Sequence, residues 1–153
     1  MSDKFQQALA LLRPLATLPD WGIGGSLLLV EQQLQADFRD IDLVCSEADA
    51  TVLAARLQQC STELPVAAHP QYCSRFFRRY QHHSGLVIEV MAGIQVRQAA
   101  AMQQWPFDPT RCEQRHGVSW MTLTDWLELY QWFERPEKVA LIQGALASPT
   151  NSL

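Results

Sequence analysis

Basic residues are in short supply in this chain. Its 153 residues carry 12 Lys and Arg against 16 Asp and Glu, a formal net charge of −4. A broad nucleic-acid surface needs the opposite balance, because phosphates are neutralised by Lys and Arg. Long apolar runs are also missing, so no segment is expected to span a bilayer. Met1-Ser2-Asp3-Lys4-Phe5 lacks the charged-then-apolar layout of a secretion signal, and a cytoplasmic protein is expected. The four cysteines, Cys45, Cys60, Cys73 and Cys112, form no C-x-x-C pair, and no two histidines have zinc-finger spacing. They read as buried free thiols, since unpaired Cys behaves as a small hydrophobe. The glycines at Gly22, Gly24 and Gly25 have no lysine nearby, which excludes a P-loop. The third glycine of a dinucleotide fingerprint would fall on Leu27.

What is present is the composition of an ordinary globular protein, 48% hydrophobic. The length suits one domain over 1–147, followed by a frayed tail at 148–153. Apolar residues at Phe5, Ala8, Leu9, Leu12 and Leu15 have helical spacing, with Pro14 ending or kinking the helix. Trp21 to Gly24 is strand-like. Ser26 to Gln35 reads as a helix of about three turns, with Ser26 as its N-cap. Ile41 to Cys45 is the clearest strand, and Ser46 with Asp49 marks a helix start running to about Cys60. Phe76 to Gln81 and Leu86 to Met91 form strands joined through His82-His83-Ser84-Gly85, a good hairpin turn. One more short strand is expected from Gly93 to about Arg97, then an irregular stretch from Gln103 to Trp120. Thr122 caps a helix to Phe133, and Pro136 opens a last one. The expected fold is α/β (α+β), a small mixed sheet flanked by helices.

Three signals carry chemistry. In Asp40-Ile41-Asp42 the two acids are two apart on a strand and share a face. Adjacent carboxylates repel and are costly to desolvate unless something positive lies between them. Carboxylate oxygens suit Mg²⁺ or Mn²⁺, whereas a strand beginning at the surface would leave both acids merely solvated. Gly24-Gly25-Ser26 stands at a strand-to-helix junction, where free N–H groups favour an anion; a tight turn would need the same small residues. Glu89 is an acid inside the apolar run Leu86 to Met91, facing either an edge or the first two acids. Arg39, beside the pair, and Arg75, from the run Arg75-Phe76-Phe77-Arg78-Arg79-Tyr80, are candidates to meet a phosphate. That run also suits single-stranded nucleic acid, or simply a strand with one apolar and one solvated face. Pairing Cys73 or Cys112 with a histidine as nucleophile rests on composition alone. Trp120, Trp126, Trp132 and Phe133 read as core.

In this order, Ile23-Gly24-Gly25-Ser26-Leu27, Arg39-Asp40-Ile41-Asp42-Leu43 and Glu89 resemble the nucleotidyltransferase superfamily. The likeness is to its small single-domain members related to AbiEii-type toxins. Met121 to Leu127 adds to the likeness. The chain departs from those relatives in having Phe38-Arg39 where a threonine is usual, Tyr130-Gln131-Trp132 in the lysine region, and Glu rather than Asp as third acid. The resemblance implies a nucleoside triphosphate substrate with Mg²⁺ or Mn²⁺ held by Asp40, Asp42 and Glu89. Those three carboxylates are expected to converge within one metal-site radius, facing the start of the Ser26 helix. Gly25 and Ser26 would position the outer phosphates, and Glu89 would hold metal or take the acceptor's proton. The acceptor stays open among an RNA end, a protein hydroxyl and a small molecule. A homodimer or a protein partner, as in a toxin–antitoxin pair, would complete the cleft. A non-catalytic member of the fold, binding a nucleotide or only a protein, is the alternative.

Overall fold

The strand that begins just after Asp40 lies at the centre of the molecule. In the computed structural model, which describes residues 2–69 and 72–148, a mixed sheet of seven strands is built around it. In chain order the elements are α1 (Asp3–Leu12), a 3-10 turn (Arg13–Thr17), β1 (Trp21–Gly24), α2 (Gly25–Glu31), β2 (Ile41–Cys45) and α3 (Glu47–Gln58). Then come β3 (Ser61–Leu64), β4 (Phe76–His82), β5 (Val87–Ala92), β6 (Gln95–Gln98) and β7 (Ala101–Gln104). A second 3-10 turn (Pro109–Arg111), β8 (Glu113–Arg115), β9 (Val118–Trp120), α4 (Leu123–Trp132) and α5 (Pro136–Ala147) complete them. The sheet order is β3-β4-β5-β2-β1-β9-β8, and β6 and β7 pair separately. The β2–β5 and β1–β9 neighbours are parallel and the remaining pairs antiparallel. The α/β architecture expected from the sequence is therefore present.

Local chemistry explains most boundaries. The Ser2 hydroxyl accepts from Phe5 N and starts α1, and Pro14 follows its end in the tighter 3-10 turn. Trp21 Nε1 donates to the carbonyls of Leu15 and Leu18, each at 3.0 Å, tying that turn to β1. The Thr122 hydroxyl accepts from Asp125 N at 3.1 Å, and Pro136 occupies the first turn of α5. β4 and β5 form the expected hairpin, closed by His82 N donating to Leu86 O. Ile23, Ile41, Leu43, Ile88, Val90 and Trp120 are sealed in the core. α2 packs on β1 and β2, α3 on β3, β4 and β5, and α4 on α5.

Several expectations need correction. α2 has seven residues rather than three turns; Gln33 at φ +62° carries the chain out of it. Its N-cap is Gly24, so Ser26 lies inside the helix and not at the cap. The stretch read as irregular holds β7 in part, β8 and β9, and β9 lies beside β1 within the sheet. β3 carried no signal at all. Of the cysteines only Cys45 is buried; Cys60 is exposed, and Cys73 and Cys112 are half-buried. Trp120 and Trp126 are core residues as expected, while Trp132 and Phe133 are only partly covered. The tail expected from Ser148 lies, from Pro149 onward, outside the described residues. Among the described residues no helix is long and apolar enough to cross a membrane.

Candidate functional site

Strand register sets the geometry. Asp42 on β2 pairs with Gly24 on one side and with Glu89 on the other, and Glu89 pairs with Arg79 on β4. Directly opposed residues share a face of the sheet. Gly24, Asp42, Glu89 and Arg79 thus form a row across four strands. Asp40 joins the row from the residue preceding β2. Arg79 Nε stands 3.2 Å from Glu89 Oε1, and Arg79 Nη2 stands 3.8 Å from Asp40 Oδ2.

The glycine turn closes on this row. Gly25 has φ +60°, and a Cβ there would lie 1.9 Å from Asp42 Oδ2. No residue but glycine meets both conditions, so the turn is there to approach Asp42. Gly24 is required for another reason: a Cβ would stand 2.6 Å from the Trp126 ring. The Ser26 hydroxyl donates to Asp40 O at 3.4 Å, tying the start of α2 to the approach of β2.

A cleft of about 870 Å³ opens over this face. Ser26, Asp40, Asp42 and Glu89 line it, with Arg39, Arg135 and Lys138 as its cations. The opposite wall is apolar and aromatic, with Phe77, Met91, Tyr72 and Phe133. Tyr72 stacks on His69 at 4.2 Å and donates its hydroxyl to Phe133 O at 2.6 Å, which ties that wall to the end of α4. Of the two arginines expected to meet phosphate, Arg39 lines the cleft. Arg75 is not among the lining residues and pairs instead with Glu47 at 3.5 Å.

The three acids are electrostatically unequal. Burial pushes the Asp42 carboxyl well above its ordinary range, and the charges of Glu89 and Asp40 and a hydrogen bond with Glu89 push the same way. Arg135 is the cation that opposes this. Glu89 is also raised, first by burial and then by Asp40, against a lowering hydrogen bond from Asp42 and the charge of Arg79. Of the three, Asp42 is therefore the acid whose ionisation its surroundings oppose most strongly. Among the described residues no three His, Cys, Asp or Glu side chains are arranged to hold a metal ion. Arg79 engages two of the acids, and the third is bonded to Glu89.

The residue types nonetheless fit a hard divalent cation. They offer only carboxylate oxygens, and Asp42 sits beside two like charges with no Arg79 contact of its own. Arg79, Arg135, Lys138 and Tyr72 were not singled out for the site by motif. Arg79 was within reach of hairpin logic. Pairing His82 with Leu86 across a three-residue loop puts residue 79 opposite residue 89.

Comparison with solved structures finds the same fold in a candidate nucleotidyltransferase from Thermotoga maritima. It is 20% identical in sequence, with a TM-score of 0.67, and the match covers 92% of this chain and 93% of that one. No family model matches the chain, and no curated protein matches it either. The chain thus has a nucleotidyltransferase-like fold, with an acid row lining its cleft and a glycine turn packed against Asp42.

Proposed function

We propose that the protein is a metal-dependent nucleotidyltransferase, moving a nucleoside monophosphate from a nucleoside triphosphate to a hydroxyl acceptor. The observation that carries this reading is the contact of Gly25 with Asp42. A glycine forced to φ +60° brings a helix start within van der Waals contact of a carboxylate that lies in register with a second one. A purely structural turn has no need to press on a buried acid.

Asp40, Asp42 and Glu89 would hold Mg²⁺ or Mn²⁺. When bound, the cation neutralises phosphate charge and makes an acceptor hydroxyl more acidic. Gly25 and Ser26, at the start of α2, face the outer phosphates with N–H and hydroxyl donors. Arg39, Arg135 and Lys138 supply positive charge along the same wall, Lys138 being hydrogen-bonded to Gln35 and Arg135 paired with Glu137. Tyr72, Phe133 and Phe77 offer apolar surface suited to a base. The acceptor oxygen bonds to the α-phosphorus, the bond to the β-phosphate bridge breaks, and pyrophosphate leaves. Glu89, with its raised pKa, takes the acceptor's proton. The acceptor is an RNA end, a protein hydroxyl or a small molecule, and an antitoxin-like partner or a second copy of the chain would complete the cleft.

A second reading has an observation of its own. Arg79 already pairs with Asp40 and Glu89, an arrangement that suits a fold member that binds nucleotide or protein without catalysis. Transfer of a labelled α-phosphate in lysate separates the two. Label on any species with wild type, and none with Asp42→Asn, supports the transferase and identifies the acceptor class. No label with either protein, together with unimpaired nucleotide binding by Asp42→Asn, supports the non-catalytic reading.

A further inference from the structure

Among the described residues Arg79 is the cation in ion-pair contact with the acid row, and its contacts are poorly made. A strong guanidinium–carboxylate pair places N–H donors about 2.7–2.9 Å from the oxygens, in line with them. Arg115 does this with Glu31, at 2.9 Å through both Nε and Nη2. Arg79 reaches Asp40 only at 3.8 Å. It stands 3.2 Å from Glu89, yet its buried Nε has no aligned hydrogen-bond acceptor. The hold is one of charge and not of fitted hydrogen bonds. The side chain is 31% exposed, so it has solvent to move into.

The position explains the compromise. Residue 79 lies in register with Glu89, on the face that carries Asp42, so any long cation there is drawn to the acids. Arg78, its neighbour, projects to the other face and pairs with Glu63 at 3.2 Å. Three carboxylates and one guanidinium leave excess negative charge on the row, and Asp42 has no share in Arg79. A divalent cation satisfies the row better than Arg79 can, but the two need the same oxygens of Asp40 and Glu89.

The geometry points to Arg79 as a built-in competitor of the divalent cation: it neutralises Asp40 and Glu89 in the metal-free protein and is displaced when metal binds. This rests on the metal-dependent reading of the site. The competition lowers metal affinity and keeps the metal-free fold from carrying three unopposed acids. Arg79 is here a positioning residue, acting through the two carboxylates.

Calorimetric titration of Mn²⁺ into wild type, Arg79→Gln, Arg79→Lys and Arg78→Gln tests it. Arg79→Gln is expected to bind roughly tenfold more tightly, the scale of one unit charge removed from a partly screened site. Arg79→Lys, with a shorter reach and no fork, should fall between the two, and carries the test alone if Arg79→Gln does not fold. Arg78→Gln should match wild type. Without metal, Arg79→Gln should melt below wild type, whereas with saturating Mn²⁺ the two should converge; a merely structural arginine would lower both melts alike. Arg79 variants that bind Mn²⁺ no more tightly than a metal-binding wild type overturn the proposal and leave the metal reading intact. Failure of all four proteins to bind Mn²⁺ overturns both.

Discussion

Glu31 and Asp42 are both shielded acids, and they stand in opposite situations. The Glu31 side chain is 6% exposed and receives two Arg115 hydrogen bonds at 2.9 Å, one from Gln32 at 2.7 Å, and His116 at 3.4 Å. Burial alone would raise its carboxyl, but hydrogen bonds from Arg115 and Gln32 and the Arg115 and His116 charges outweigh it and hold the pKa down. Asp42 is raised by burial and then by two neighbouring acids. Glu31 is satisfied by its own chain and fastens α2 to the β8–β9 hairpin. Asp42 has two like charges beside it and only the charge of Arg135 to oppose its burial.

The sharpest way to break this comparison is to neutralise each acid in turn. Glu31→Gln should cost roughly 2–4 kcal/mol in urea unfolding, because it leaves Arg115 short of its partner. Asp42→Asn should do the reverse. In metal-free buffer near pH 8 it should gain about 1 kcal/mol, since an amide donates to Glu89 without adding charge. Equal losses at the two positions would mean that the acids do the same job.

A pH titration of stability sharpens the contrast further. Glu31 has a depressed folded pKa, so its contribution is complete above its unfolded value and is lost as pH falls through the folded one. Asp42 and Glu89 have raised folded values, so theirs is complete below the unfolded values and is lost as pH rises through the folded ones. Wild type without metal should therefore lose stability as pH climbs from about 4. Asp42→Asn should flatten that loss, and Glu31→Gln should leave it in place.

The smallest effect concerns the thiols. The Cys45 thiol is buried and pushed up to about 12, while Cys60 is exposed. Native protein at pH 8 should alkylate at Cys60 and spare Cys45 until it is denatured, as peptide mass mapping would show.

The central strand, the hairpin and the capped helices were legible because each has a local cause. Asp42 alternates within an apolar run, Gly85 takes the turn's φ of +96°, and Thr122 caps α4. β3, β8 and β9 were not, because strands of three or four residues have no period to read, and β9 owes its place to pairing with a residue nearly a hundred positions away. At the site, Asp40, Asp42, Glu89, Gly24, Gly25 and Ser26 come together from one local motif and one strand register. The role given to Ser26 shifted because Gly24 takes the cap and the Ser26 hydroxyl turns to Asp40 O. Arg75 lies away from the cleft lining because β4 begins only at Phe76, and its register puts Arg79 opposite Glu89. Charge composition alone does not tell one arginine of that run from another.

The central claim is that the row led by Asp42 exists to hold a metal and a nucleotide. Thermal melting of wild type and Asp42→Asn, with and without millimolar Mn²⁺ and ATP, tests it most directly. Wild type should rise by about 5 °C with both ligands present, as binding to the folded state alone requires. Asp42→Asn should not respond. A wild type whose melting point stays unchanged, or an Asp42→Asn protein that rises equally, would contradict the account.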